Sequence, residues 1–189
     1  FHRRAADLLT GQPESLARHA AAAGDWPRAA RAWLLAAEGA MHRYAASDAI
    51  SLATQALDAA GRGGDAEARA RALVTRGRAR EAVGAHDAAL ADLTQGAAGA
   101  RTAGDRRLEM HALRELGGDV PASQGLPVTY RPNLESGLRI AEELGDRASE
   151  ADLLSRMAIL AANRLQLGVA VDYALRAVAA GRSAGDEHA

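Results

Sequence analysis

Residues 64–105 read GDAEARARALVTRGRAREAVGAHDAALADLTQGAAGARTAGD, and this stretch decides the fold. It begins and ends with Gly-Asp, and the same dipeptide recurs at Gly24-Asp25, Gly145-Asp146 and Gly185-Asp186. Successive aspartates lie 40, 40, 41 and 40 residues apart. Glycine commonly closes a helix in the left-handed conformation, and aspartate commonly caps the start of the next helix. We therefore expect each Gly-Asp to end one structural repeat and to begin the next.

Each repeat is predicted to contain two helices. The first helices are expected at about 26–43, 66–83, 106–117 and 147–167, and the second helices at about 47–60, 87–103, 132–144 and 169–184. Ser47 and Asp87 are predicted to cap second helices. No segment alternates apolar and polar residues as a half-buried strand does. The sequence therefore predicts an all-α solenoid of antiparallel helix pairs.

The predicted organisation is a two-helix leader followed by four helical-hairpin repeats. The leader covers 1–24, with helices near 2–9 and 14–23, and the repeats cover 25–64, 65–104, 105–145 and 146–185. Within the third repeat, Pro121, Pro127 and Pro132 predict an irregular loop at 118–131, because proline is excluded from helix interiors. Two interpretations stay open: a degenerate repeat with a disordered bulge, or a loop that covers a groove or contacts a partner.

Small and apolar residues recur at matching slots of the repeats. Ala37 aligns with Gly77, Ala53 with Leu93 and Ala56 with Gly96. Small residues allow two helices to approach closely, and larger neighbours fill the remaining space. The corresponding slots of the fourth repeat hold Leu154, Ala158, Ala170, Ala174 and Ala177. We expect all of these residues to lie between helices.

Composition excludes several kinds of chemistry. Cysteine is absent and all 23 basic residues are arginine, so there is no thiol nucleophile, no Walker-A lysine and no Schiff-base lysine. The formal charge is −1, which does not favour a nucleic-acid-binding domain. No apolar run approaches the ~18 residues of a membrane span. Because the chain starts at Phe1 and 49 of its 189 residues are alanine, we expect a segment of a longer cytoplasmic protein from a GC-rich bacterium.

Motifs that resemble catalytic signatures have structural explanations here. Residues 181–185 match the G-x-S-x-G nucleophile elbow, but they end a predicted helix and no strand precedes them. The six histidines show no metal-binding spacing on one helix face. We therefore expect no catalytic residue, no metal ligand and no cofactor in this chain, which is predicted not to be an enzyme.

Several segments resemble the tetratricopeptide repeat, although the period of about 40 exceeds the usual 34. The matching residues are Leu73-x-x-Arg76-Gly77, Gly84-Ala85-His86-Asp87-Ala88-Ala89, Leu93-x-x-Gly96 and Leu116-Gly117. The leader, with His2-Arg3-Arg4 and Leu16-Ala17-Arg18-His19, is similar to the junction after the ATPase module of large ATP-binding LuxR-type transcriptional regulators and of ATPase-linked adenylyl cyclases. The resemblance implies a right-handed tetratricopeptide-like solenoid, an alpha-alpha superhelix.

The resemblance also implies that the first helices line a concave groove. Slot counting from Leu73 places Leu34 and Val74 on that side, together with a set of polar candidates for partner binding: Arg31, Glu38, Arg71, Arg78, His111, Arg114, Asp152 and Asn163. Arg71, Arg78 and Arg114 are expected to gather there without nearby core acids to pair them, while Glu38 and Glu81 offset part of the charge at the edge. Two interpretations stay open: a solvated face without a partner, or a groove for an acidic peptide or for another domain of the same parent protein.

The functional hypothesis is a non-catalytic protein-interaction and regulatory sensor module of a bacterial ATPase-type transcriptional regulator. Nucleic acid would then be bound only by other domains of the parent, and no membrane is involved. The alternatives are the equivalent module of an ATPase-linked adenylyl cyclase and a free-standing chaperone-like adaptor.

Overall fold

A computed structural model of the chain describes residues 12–117 and 130–186. Within these ranges all regular secondary structure is helical, which confirms the all-α class. The helices are α1 (Pro13–Ala22), α2 (Trp26–His42), α3 (Ala46–Gly63), α4 (Ala66–Ala82), α5 (His86–Ala103), α6 (Arg106–Leu116), α7 (Tyr130–Leu144), α8 (Arg147–Asn163) and α9 (Leu167–Asp186). The predicted helix near 2–9 and most of the predicted loop at 118–131 lie outside the described residues. None of the described helices is long and apolar enough to cross a membrane.

The chain divides into two compact units, the first ending at Leu108 and the second beginning at Glu109. In the first unit each helix packs on the next one from α1 to α5, and α2 also contacts α4. In the second unit α7 packs on α8 and α8 packs on α9. In the first unit, a first helix therefore contacts its own second helix and the first helix of the following repeat, as stacked helix pairs do.

Four of the five Gly-Asp pairs that recur at the 40-residue period form the predicted turn. Gly24, Gly64, Gly104 and Gly145 have φ angles of 75°, 66°, 74° and 66°. The aspartate that follows each glycine accepts a hydrogen bond from a backbone N–H three residues later. The fifth pair, Gly185-Asp186, does not form this turn, because α9 continues to Asp186 and Gly185 is not left-handed. Continuing a helix adds backbone hydrogen bonds unless packing stops it.

The predicted caps of the second helices are also wrong. Helices α3 and α5 begin after Ala45 and Ala85, whose side chains cannot cap, rather than at Ser47 and Asp87. The turn before each helix is short because the preceding residue is left-handed, with φ of 59° at Tyr44 and 77° at Gly84. The chain therefore re-enters the helix earlier than the side-chain pattern suggested.

Two further boundaries differ from the prediction. Helix α8 ends at Asn163 rather than near residue 167, because Leu165 is left-handed with φ of 59°. Helix α7 begins at Tyr130, so residues 130 and 131 belong to a helix and not to the predicted loop. Pro132 lies in the first turn of α7, where its missing N–H is not needed.

The core of the first unit consists mainly of alanine. Its larger buried members are Trp33, Leu34, Leu52, Leu73, Val74 and Leu93. The aligned slots are all buried as predicted, at Ala37, Gly77, Ala53, Leu93, Ala56 and Gly96. In the second unit the largest fully buried apolar side chains are Met110, Leu134, Ile140, Leu153 and Leu154. Ala174 is exposed, so the prediction that it lies between helices is wrong. The face of α9 that carries Ala174 meets no described helix.

Helices α4 and α5 approach closely at Gly96. A Cβ atom at this position would lie 2.7 Å from Cγ2 of Val74 and 3.2 Å from its backbone nitrogen. Valine is stiff at χ1, and a backbone atom cannot move without shifting its helix. A glycine is therefore required at this crossing.

We expect Gly96→Ala to destabilise the chain and Gly61→Ala to stabilise it. Alanine favours a helix interior over glycine by roughly 0.5–1 kcal/mol, and nothing lies within 4 Å of a Cβ at Gly61 in α3. At Gly96 the overlap with Val74 should outweigh this gain and lower the free energy of unfolding by about 1–3 kcal/mol. Urea titrations followed by circular dichroism measure both changes. If Gly96→Ala proves as stable as wild type, the crossing is looser than described.

Candidate functional site

Four of the predicted groove residues form one exposed face in the first unit. Arg31 and Glu38 lie on α2, and Arg71 and Arg78 occupy the equivalent slots on α4, 40 residues later. All four are exposed, and α2 contacts α4. We call this set of residues the α2/α4 face.

The apolar residues predicted beside this face do not belong to it. Leu34 is 6% exposed and Val74 is 4% exposed, so both lie in the core, and their assignment to the groove is wrong. The larger apolar residue exposed on α2 is instead Leu35, at 59%.

The charge of Arg71 is already matched by two acids. Its Nη2 atom lies 3.1 Å from Oε1 of Glu67 and 2.9 Å from Oδ2 of Asp105. The other carboxylate oxygen of Asp105 accepts a hydrogen bond from the backbone N–H of Leu108 and so caps α6. Arg71 is therefore paired with two acids outside the core, and Asp105 ties it to the turn at the end of its repeat.

The candidates of the second unit are distributed differently. Arg114 donates through Nη2 to Glu115 at 2.8 Å, and its Nε lies 3.7 Å from Oδ2 of Asp152. Asp152 also pairs with Arg156, with 3.1 Å between its Oδ2 and Nε of the arginine. The structure thus brings Arg114 and Asp152 together as parts of an ion-pair chain. His111 is half-buried, and Asn163 is exposed at the end of α8.

A buried ion-pair network connects α4 with α5. Asp92 on α5 is 3% exposed and receives two hydrogen bonds from Arg76, at 2.7 Å from Nε and 2.8 Å from Nη2. Arg80, one turn further along α4, donates through Nη1 to the same carboxylate at 2.7 Å. The Arg76 pair is bidentate, which is the strongest geometry for this type of contact.

Sequence reasoning did not find this network. The side chains of Arg76 and Arg80 are only 17% and 25% exposed, although both lie in the arginine-rich run of α4. The available signal was Asp92 itself, a charged residue directly beside the buried Leu93 in an otherwise alanine-rich segment. A buried carboxylate needs partners, and two arginines four residues apart on the preceding helix can supply them.

A cleft of about 340 Å³ lies between α1 and α2. Gln12, Arg18, Leu35 and Arg43 contribute to its walls. Arg18 already pairs with Glu14 across an exposed 3.3 Å contact, so the cleft holds no set of convergent donors that would define a ligand site.

The described residues contain no group of three side chains placed to bind a metal ion. Ser183, the serine of the G-x-S-x-G match, lies within α9 and donates its hydroxyl to the carbonyl of Ala179 at 3.2 Å. On α7, the hydrogen bond from Arg131 to Glu135 raises the pKa of Arg131 above its ordinary value, so this side chain is a permanent cation.

The sequence was compared with models of known protein families and with curated proteins. No family model matches it, and no curated protein matches it.

We expect Asp92→Asn to destabilise the first unit strongly. The change removes the negative charge between two partly buried arginines, and breaking a buried ion pair typically costs about 3–5 kcal/mol. Because Arg76 and Arg80 can partly reach water, a loss of about 2–3 kcal/mol is expected, measured by urea titration.

Asp58→Asn is the matched control for this change. Asp58 pairs with Arg62 at 2.9 Å on α3, but both side chains are more than half exposed. Exposed pairs contribute less than about 1 kcal/mol. Equal losses in the two variants would show that burial of Asp92 is energetically unimportant.

Proposed function

We propose that this chain is a non-catalytic helical-repeat module that binds a protein or peptide through the α2/α4 face. The observation that carries the proposal is the recurrence of exposed charged residues at matching slots of two first helices in contact, while the neighbouring slots are buried. Arg31, Glu38 and Arg78 are exposed to solvent and do not contribute to the core. Exposed polar residues on a rigid scaffold are typical of binding surfaces.

The finer fold in this proposal is a right-handed tetratricopeptide-like solenoid. Its support is the 40-residue spacing of left-handed glycine and capping aspartate, together with the contact between α2 and α4. In such a stack the first helices share one side, so equivalent slots align along it. The candidates His111, Arg114, Asp152 and Asn163 stay a prediction of the same kind for the second unit.

The proposed partner is an acidic peptide, or another domain of the same parent protein. Both ion pairs of Arg71 use its Nη2 atom. Its Nη1 and Nε groups would bind a carboxylate of the partner while both existing pairs are kept. A charge-assisted hydrogen bond contributes about 1.5–3 kcal/mol when well formed. Glu38 on the same face selects for a partner that also carries a cation.

The proposed parent is a cytoplasmic bacterial ATPase-type transcriptional regulator, in which this module senses or transmits a regulatory input. The support is the leader motif of residues 2–26 and the long repeat period. The same motif is compatible with an ATPase-linked adenylyl cyclase. The gene that encodes this segment discriminates between them: a P-loop with a helix-turn-helix favours the regulator, a cyclase domain favours the enzyme, and neither favours a free-standing adaptor.

We expect Arg31→Glu/Arg78→Glu to abolish capture of a specific partner from native lysate. The charge reversal repels an acidic partner, and Arg71 is left intact because it is tied to the α6 cap. Captured proteins are quantified by mass spectrometry at low and high salt, and binding should weaken as screening increases. Circular dichroism checks that helicity is unchanged.

Arg69→Glu/Arg101→Glu provides a control with the same change in charge. Both arginines are exposed and lie outside the α2/α4 face. This variant should retain the partner. A partner lost equally from both variants would indicate general electrostatic attraction, and an unchanged set of partners would place the binding surface elsewhere.

A further inference from the structure

The last described helix carries an exposed apolar stripe. Leu167, Val171, Leu175 and Val178 are 65%, 58%, 66% and 54% exposed. Their spacings of 4, 4 and 3 residues place them along one side of α9. We call these four residues the α9 stripe. The helix packs on α8 through a different side that includes the buried residues Ala177 and Ala180.

The equivalent positions of the first repeat show what such a stripe contacts. Aligning Gly185 with Gly64 places Val171 over Ile50, Leu175 over Thr54 and Val178 over Leu57. Ile50 and Leu57 are partly buried against a core to which α4 contributes Ala68, Ala72 and Ala79. Thr54 accepts a 3.4 Å hydrogen bond from Nη1 of Arg76, also on α4. Helix α4, the first helix of the following repeat, packs on α3, and this side of α3 is partly buried at Ile50 and Leu57 while Thr54 stays exposed.

The second unit repeats the arrangement. Leu138 on α7 occupies the slot of Val178, 40 residues earlier, and it is only 8% exposed. Helix α7 packs on α8, the first helix of the next repeat. On α9 the same slot is open, since no described helix packs beyond it. The α9 stripe is thus the continuation of an interface that forms twice within this chain.

We propose that the α9 stripe docks the first helix of a fifth repeat of the same polypeptide, which begins at the Gly185-Asp186 pair. This pair recurs at the same period as the four that start a first helix. The docked helix would have the chemistry of α4: an aspartate cap and alanines on the side that meets the stripe. Gly185 would then leave its helical conformation for the left-handed one of Gly64 and Gly145.

The test uses thiol accessibility, because the chain has no cysteine of its own. A single cysteine is introduced by Val178→Cys on the stripe, or by Asp172→Cys at an exposed position of α9 outside the stripe. Each variant is prepared as the 189-residue chain and with a copy of residues 65–104 placed directly after Gly185. The appended repeat should lower the labelling rate at position 178 at least tenfold and change the rate at position 172 less than twofold.

Two controls keep the proposal open to refutation. Ala72→Asp in the appended copy places a charge against the stripe and should restore fast labelling at position 178. A synthetic peptide of residues 65–83 should protect position 178 in trans, even if the appended copy does not fold. Equal labelling at position 178 with and without both probes would overturn the proposal.

A second outcome would also overturn it. If another copy of the chain covers the stripe, labelling at position 178 of the unextended chain slows as protein concentration rises. Sedimentation equilibrium would then show a dimer over the same concentration range. Our proposal requires fast, concentration-independent labelling in the unextended chain.

Discussion

The close approach of paired helices is the constraint on which the rest of this structure depends. At Gly96 the backbone of α5 lies against the backbone and side chain of Val74, and at Gly77 a Cβ would lie 2.7 Å from Cγ of Leu93. Helices so close together leave room only for alanine and glycine along most of their line of contact, which we call the seam. The close approach therefore favours an alanine-rich core, and the larger side chains of Val74 and Leu93 fill the space opposite the glycines.

Ion pairs add to the contact between α4 and α5, where the small side chains contribute little. The close seam offers little apolar area per residue, and Asp92 with its two arginines joins the same pair of helices through directional bonds. Asp105 combines two functions, because one oxygen caps α6 and the other binds Arg71. The repeat boundary and the exposed charge of the α2/α4 face are thus connected through one carboxylate, which holds Arg71 in a defined position.

The sequence allowed the repeat period, the all-helical class and the close-packed slots to be predicted, because glycine at a turn and at a crossing has a local physical cause. The predictions from sequence were wrong where the structure depends on residues that are far apart in the chain. Ser47 and Asp87 satisfied a capping pattern, but the left-handed residues at 44 and 84 started the helices earlier. The burial of Leu34 and Val74 depends on which neighbouring helix each face of α2 and α4 contacts. Asp92 and Arg76 lie on different helices, and the periodicity of residues within one helix does not predict a contact between two helices.

Because the core residues are small, mutations that enlarge a side chain are more damaging here than mutations that truncate one. In most cores, truncation of a large side chain is the damaging event because it leaves a cavity. Ala37, Ala49, Ala53 and Ala56 are fully buried and have almost no side chain to lose. Nearly every codon change at such a position adds atoms that the seam cannot accommodate. Evolutionary drift in this unit is therefore limited by an upper bound on side-chain volume, and the variants that survive should differ at the surface while the seam stays uniformly small.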